Sequence, residues 1–272
     1  MSQFTVLGAS GYIGSRLLAR LRADGYAVWA PERGDRSILT RPLGHVLYCV
    51  GLTGNFRSRP FDTVEAHVGL LAELLQHAKF DSLLYLSSTR VYQGAERTDE
   101  DAPLTVLPGN PSYLYNLTKL TGESLCRCSG RAGVRVARLS NVVGAGMDPA
   151  SGNLIATLLQ DSRAGHVLLQ SAPESAKDYI HIEDVLDLLP RIAVEGQASI
   201  YNVASGNQTS HAQWLQWLSA STGCSHAVQS DAQLQTFAPI DVTRLQEEFG
   251  FVARPIFDWL TSLPKVQIKY EG

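Results

Sequence analysis

The sequence is short of several things, and each shortage excludes a class of protein. Its 23 Lys and Arg stand against 26 Asp and Glu, a formal net charge of -3. That leaves no basic footprint for nucleic acid and no polybasic patch for a membrane surface. No apolar run approaches the roughly 20 residues of a membrane span. The opening MSQFTVLGASG enters an apolar strand almost at once. It lacks a basic stretch followed by a long apolar one, so no signal peptide is expected. Cysteines are few: Cys49, Cys126, Cys128 and Cys224. Cys126 and Cys128 are two apart and have no partner pair at zinc spacing, so no metal is expected. The expectation is reduced thiols in a cytoplasmic protein. Internal repeats and low-complexity segments are absent.

What is present is an alternation of strand-like and helix-length segments. FTVLGAS reads as a strand and IGSRLLARLRADG as a helix closed by Gly25. YAVWAP and HVLYCVG are the next strands. A helix over Asp62 to Ala78 follows, then SLLYLSS, a helix over Pro111 to Cys128, and VRVARLS. Near-continuous apolar strands in a βαβα rhythm imply an α/β fold, a doubly wound parallel sheet with helices on both faces. After Asn141 the texture changes. GAGMDPASGN looks like a domain junction, and HVLLQ, DYIHIEDVLDLLPRIA and SIYNVASG read as strand, strand-helix and strand. The tail from His211 carries a Trp-containing helix and ends in a FDWLTSL segment. The expected division is a dinucleotide-binding domain over residues 1–143, with 178–204 returning to it. A smaller substrate-binding domain takes 144–177 and 205–272.

Gly8, Gly11 and Gly14 lie in GASGYIG, directly after a strand and opening a helix. The first glycine allows a tight turn, the second lets backbone approach a pyrophosphate, and the third lets the helix pack on the sheet. Ser10, Tyr12 and Ile13 lie in the same loop and join them as cofactor-facing candidates. This is the context of a Rossmann-type NAD(P) site. Glu32, after the second strand, is placed to accept both adenosine ribose hydroxyls, which favours NAD. Arg33 and Arg36 follow and suit a 2′-phosphate instead, so NADP stays open.

YNLTK places Tyr115 and Lys119 four apart, on one helix face. A phenol is a poor proton shuttle at neutral pH unless a nearby cation lowers its pKa. Lys119 is the expected cation and can also bond the nicotinamide ribose. LLYLSSTRVY, from Leu83, ends a buried strand in three hydroxyls and a guanidinium. A strand-end hydroxyl can orient a substrate oxygen beside Tyr115.

Together, GASGYIG, LSSTRVY and YNLTK resemble the extended short-chain dehydrogenase/reductase superfamily. Within it the resemblance is to the NAD-dependent epimerase/dehydratase family acting on nucleotide sugars. KDYIHIEDV from Lys177, RLSNVVG from Arg138 and YNVASG from Tyr201 resemble further family segments. The resemblance implies Ser88, Tyr115 and Lys119 as the catalytic set. It implies Asn141 near the nucleotide diphosphate, Asn153 and Leu154 lining the nucleotide, and Lys177 facing a phosphate.

Three departures stand out. The stretch between Glu32 and Cys49 is shorter than in the family, which alters the adenine pocket. The second segment reads YQG rather than YG. Before PIDVTRLQEEFGF an arginine common in the family is missing, with Lys177 and Arg244 as candidates to compensate. The family's dehydratases carry carboxylates where this chain has Thr89 and Arg90. An arginine is no general acid at neutral pH, so elimination of water is not expected. Arg90 reads either as a substrate-facing cation for a carboxylate or phosphate, or as a side chain turned to solvent or paired with an acid. The function implied is an NAD(P)-dependent epimerase or oxidoreductase on a nucleotide sugar. A reductase of a non-sugar carbonyl and a non-catalytic dinucleotide sensor are the alternatives. The resemblance also implies a homodimer through the helices over Asp62 to Ala78 and Pro111 to Cys128.

Overall fold

Strand β1 (Gln3–Leu7) explains the architecture on a small scale. Its side chains alternate across the pleat, so Phe4 and Val6 enter one hydrophobic cluster and Leu7 the cluster on the opposite face. A strand buried on both faces needs helices on both faces. The computed structural model, which describes residues 3–148 and 151–259, supplies them. Helix α1 (Tyr12–Ala23) follows, then β2 (Ala27–Trp29) and β3 (His45–Tyr48). A helical stretch runs as α2 (Pro60–Val64), a π-helical turn over Glu65–Gly69, and α3 (Leu70–His77). Then come β4 (Ser82–Ser88), α4 (Leu114–Cys128) and β5 (Val134–Leu139).

These strands form a six-stranded parallel sheet in the order β2-β1-β3-β4-β5-β9, where β9 is Ile200–Val203. One face is covered by α1, by α6 (Ile182–Glu195) and by α8 (Thr243–Phe249). The other is covered by α3 and α4. Helix α6 reads out the reason. Ile182, Val185, Leu186, Leu189, Ile192 and Ala193 are buried at helical spacing and lie on the sheet. The doubly wound α/β fold expected from the strand-helix rhythm is therefore present. Chain order reverses between β1 and β3, which opens a crevice at the carboxyl ends of the strands.

The remaining elements build two small sheets beyond that end. β6 (Asn141–Val143), β8 (Ala176–His181) and β10 (Gln208–Ser210) form one, and β7 (His166–Ser171) and β11 (Ser225–Gln233) the other. Helices α5 (Leu154–Arg163) and α7 (His211–Thr222) share with them a separate core around Val167, Tyr179, Trp214 and Leu218. β8 lies in the three-stranded sheet, so the chain returns to the central sheet through α6 and β9. Tyr179 faces the small core and Ile180 the large one, which ties the two together. Two residues of the GAGMDPASGN segment, 149 and 150, and the end of the FDWLTSL segment lie outside the described residues.

The short stretch after Glu32 holds only one 3-10 turn, Arg36–Leu39, begun by Asp35, whose carboxylate accepts from Ser37 N–H at 2.9 Å. It contributes no strand, so β2 is the sheet edge.

Candidate active site

The loop from β1 to α1 is shaped by sterics. Gly8 has φ +82°, and a Cβ there would fall within 2.9 Å of the Cys49–Val50 backbone at the end of β3. A Cβ on Gly14 would strike the Gly8 carbonyl. Gly11 N–H donates to Gly8 O at 3.0 Å, and Gly11 begins α1 without a side-chain cap or an acidic first turn. The first N–H groups of α1 therefore keep no side-chain acceptor. That suits a phosphate anion, so the backbone fits a dinucleotide's pyrophosphate. Three α-helices are capped by side chains: Ser210 closes a capping box on α7, Asn153 caps α5 and His181 caps α6. Ser10 is exposed beside the turn, and Ile13 packs on the large core. Tyr12 donates its hydroxyl to Ala145 O at 3.4 Å, joining the loop to the chain after β6.

Glu32 and Arg33 are exposed just past the end of β2. Arg36, a candidate for a 2′-phosphate, is instead paired with Glu73 at 2.6 Å. Arg41, unmarked in the sequence reading, stacks its guanidinium 4.5 Å from the Trp29 ring centroid.

At the carboxyl end of β4 the structure brings together Ser88, Tyr115 and Lys119. The Ser88 hydroxyl lies close enough to the Tyr115 phenol to favour its ionised form. The Ser88 Oγ accepts from Arg90 N–H at 3.2 Å, which begins the 3-10 turn Thr89–Tyr92. Asn116 holds that turn from α4, donating to Arg90 O at 3.0 Å. Lys119 is buried one turn beyond Tyr115. Its Nζ donates to Leu86 O at 2.8 Å and sits 5.9 Å from the Tyr115 ring centroid.

The electrostatics differ from the expectation that Lys119 would draw the Tyr115 pKa down. Burial instead raises the Tyr115 phenol, and the opposing pulls come from the Ser88 hydroxyl and the Arg90 guanidinium. Burial also pulls Lys119 down to about 7, against the nearby Glu123 and Cys49. Glu123 is neutralised from behind. It accepts from Ser87 and forms a buried pair with Arg138 at 2.7 Å. Arg138 in turn donates to the Tyr92 hydroxyl, and Tyr92 to Asn202. This network fixes β4, β5, β9 and α4 beneath the site.

His67 was missed by the sequence reading. The π-helical turn adds a residue to the helix and sets His67 inside, edge-on to Tyr115 with centroids 5.3 Å apart. Its Nε2 accepts from Leu52 N–H at 3.2 Å, and Nδ1 lies 2.8 Å from Thr118 Oγ1. Thr118 donates to Tyr115 O. An Nε2 that accepts carries no proton, so the ring is neutral with its hydrogen on Nδ1. Burial, with the Lys119 charge adding to it, lowers its pKa to about 3. A histidine among seven, inside an amphipathic helix, carries no mark in the sequence that sets it apart.

Arg90 departs from the solvent-facing or acid-paired alternative. It is half-buried, and its guanidinium lies 5.3 Å from the Phe56 centroid and 5.6 Å from that of Tyr115. Lys177 is partly buried with Nζ 5.0 Å from the Phe237 centroid, and burial and Arg90 both lower its pKa. Asn141 donates to Asp178 O at 2.8 Å, a bond across the β6–β8 pair. Asn153 spends its side chain on Ala156 N–H and Ser151, and Leu154 packs partly against the small core. Arg244, the other candidate to compensate for the absent arginine, is engaged by protein groups. It is held by Asp101 at 2.7 Å and Ile200 O at 2.8 Å, with Glu100 at 3.7 Å. Among the described residues no cluster of His, Cys, Asp and Glu could hold a metal, and no helix is long and apolar enough to cross a membrane.

Several solved structures share this fold. MoeE5, solved with UDP-glucuronic acid and NAD, is 24% identical, with a TM-score of 0.77 over 93% of this chain and 94% of that one. RMD from Pseudomonas aeruginosa, complexed with NADPH, is 22% identical, with a TM-score of 0.77 over 96% and 97%. TunA, an NAD dependent NDP-hexosamine 5,6-dehydratase involved in tunicamycin biosynthesis, is 21% identical, with a TM-score of 0.79 over 96% and 95%. No curated protein matches the chain. The sequence model of one family covers residues 4–204, from β1 to the end of β9, and so takes in the glycine loop, Ser88, Tyr115 and Lys119. This chain belongs to the NAD dependent epimerase/dehydratase family.

Proposed function

We propose that this chain is an NAD-dependent epimerase or oxidoreductase acting on a nucleotide sugar, and that it does not eliminate water. The observation that carries the reading is the convergence of Ser88 and Lys119 on Tyr115, with no carboxylate beside the phenol among the described residues. The groups flanking Tyr115 are Phe56, the neutral His67, Arg90 and Lys119. None is an acid that could protonate a departing hydroxyl while a neighbour removes a proton.

Gly8, Ser10, Gly11, Tyr12, Ile13 and Gly14 would hold the dinucleotide's phosphates, and Glu32 its adenosine ribose, which favours NAD over NADP. When bound, the nicotinamide supplies the hydride acceptor and donor. The chain itself handles the proton. In the reducing direction it moves from Tyr115 Oη to the substrate carbonyl oxygen, and in the oxidising direction it returns. Burial keeps the phenol protonated at rest, ready to donate. Ser88 orients the substrate oxygen, and Lys119 anchors the nicotinamide ribose. Asn141, Asn153, Leu154 and Lys177 would line the substrate nucleotide and diphosphate. MoeE5 and TunA, similar in fold, act on or bind nucleotide sugars or NDP-hexosamines. A non-sugar carbonyl is the second reading, favoured by the commitment of Arg244 to Asp101.

Product mass decides between chemistries. The protein is incubated with NAD and a panel of nucleotide hexoses. Unchanged mass with an inverted stereocentre supports an epimerase, and a two-hydrogen change matched by stoichiometric added NAD (loss) or NADH (gain) supports an oxidoreductase. A product lighter by one water refutes the exclusion of dehydration.

The reading includes a cytoplasmic homodimer. Phe61 and Val64, exposed on α2 at 87% and 42%, support a partner on this side of the molecule.

A further inference from the structure

Tyr115 is enclosed by its neighbours. It is 6% exposed, and Phe56, His67, Arg90 and Lys119 lie 5.3–5.9 Å from its ring or with their own rings at that distance. Proton transfer needs the substrate oxygen within hydrogen-bond reach of Tyr115 Oη and the reacting carbon beside the nicotinamide. Two six-membered rings must therefore meet at this one side chain. A phenol covered to this degree receives them only if a neighbour moves.

Three of the neighbours are fixed. His67 is bonded to Leu52 and Thr118, Lys119 to Leu86 O, and the Arg90 backbone to Ser88 and Asn116. Phe56 is held differently. It belongs to residues 53–59, between β3 and α2, which form a turn but no strand or helix. The turn closes on itself, since Arg59 N–H donates to Asn55 O at 3.0 Å and Ser58 Oγ to the same oxygen at 3.1 Å. Its ends are anchored, Leu52 by His67 and the Arg59 carbonyl by Thr63 of α2. Among the described residues one hydrogen bond ties its tip to the chain before α4, from Arg57 Nη2 to Ser112 Oγ at 3.2 Å, and that bond is exposed. The Phe56 ring, 1% exposed, meets the Arg57 guanidinium at 4.5 Å and that of Arg90 at 5.3 Å. Each cation gains a contact with the ring, yet burial and the Arg57 charge both disfavour a charged Arg90. The shut turn buries one phenyl ring and brings two like charges together, and a balance of this kind shifts with a small free energy.

We infer that Phe56 is a gate on Tyr115, shut in this structure, and that residues 53–59 swing out between their anchors, releasing Ser112, to admit the substrate. The inference rests on the proton-donating role of Tyr115 proposed above. A shut gate keeps water off the phenol between turnovers, and it lowers the apparent substrate affinity by the fraction of molecules that are shut.

The test places 4-fluorophenylalanine in place of Phe56 and follows its fluorine resonance by relaxation dispersion and saturation transfer, which together cover exchange from microseconds to seconds. In the free protein a main state without a solvent-isotope shift should exchange with a minor state that shows one, populated to ~1–10%. Ser112→Ala removes the latch and leaves the Ser112 carbonyl to Arg90. It should raise the minor state ~2–10-fold, the worth of one hydrogen bond. Saturation with NAD and UDP-glucose should make the solvent-exposed state the main one. A single resonance without exchange in the free protein overturns the inference, and so does a minor state that Ser112→Ala leaves unchanged. UDP-glucose that binds by calorimetry while Phe56 stays shut overturns it as well. The measurements on the free protein need no substrate. Their failure leaves the nucleotide-sugar reading standing, and they decide the gate by themselves should UDP-glucose not bind.

Discussion

Replacing His67 with glutamine should make the protein more resistant to acid. The folded imidazole is neutral because Nε2 accepts from Leu52 N–H and the ring is buried beside the Lys119 ammonium. Its pKa falls from 6.5 to about 3. A folded pKa depressed in this way means the unfolded chain binds the proton more tightly. Stability is then lost as pH falls below about 6.5, and the loss continues until about 3. At about pH 5 the gap is roughly 1.5 pH units, and at 1.36 kcal/mol per unit the cost is on the order of 2 kcal/mol. Glutamine keeps an acceptor for Leu52 and a donor for Thr118 but does not titrate. Buried His211 is depressed to about 4 and acts with the same sign, while the raised carboxyls of Glu100 and Asp178 act with the opposite sign. All three are present in both proteins and cancel in the difference. Urea denaturation of wild type and H67Q at about pH 7.5 and about pH 5 gives that difference. Wild type should lose about 2 kcal/mol more than H67Q between the two conditions. Equal losses would mean His67 titrates like an exposed imidazole and is not the acceptor for Leu52 N–H.

Tyr115→Phe should keep cofactor affinity and lower turnover by ~10²–10⁴-fold, because it removes the proton donor and little volume. Ser88→Ala should slow the same step by less, and steady-state kinetics with cofactor titration checks both. The protein should bind NAD more tightly than NADP, since Glu32 repels a 2′-phosphate and Arg36 is occupied by Glu73. Fluorescence titration of both cofactors tests this, and tighter NADP binding would hand the site to Arg33 or Arg41. Sedimentation at micromolar concentration should show a dimer, and a monomer there removes the proposed interface at Phe61 and Val64.

The sequence by itself determined the sheet and the phosphate loop. Both are written in short-range patterns: apolar runs of strand length, helical spacing in α6, and glycines where a Cβ would strike the backbone beside Gly8. It also placed Tyr115 and Lys119 on one face of α4, since helical periodicity brings i and i+4 together. The tertiary structure decided their electrostatics. Whether Lys119 acts on Tyr115 depends on burial, on the Leu86 carbonyl and on Glu123, whose charge Arg138 holds from another strand. His67 enters the site only because a π-helical turn rotates it inward, a shift that residue type and spacing do not encode. Arg90 turned toward Tyr115 rather than solvent for the same kind of reason. Its direction is set by Phe56, Ser112 and Asn116, which lie between 22 and 34 residues away, and only folding brings them to it.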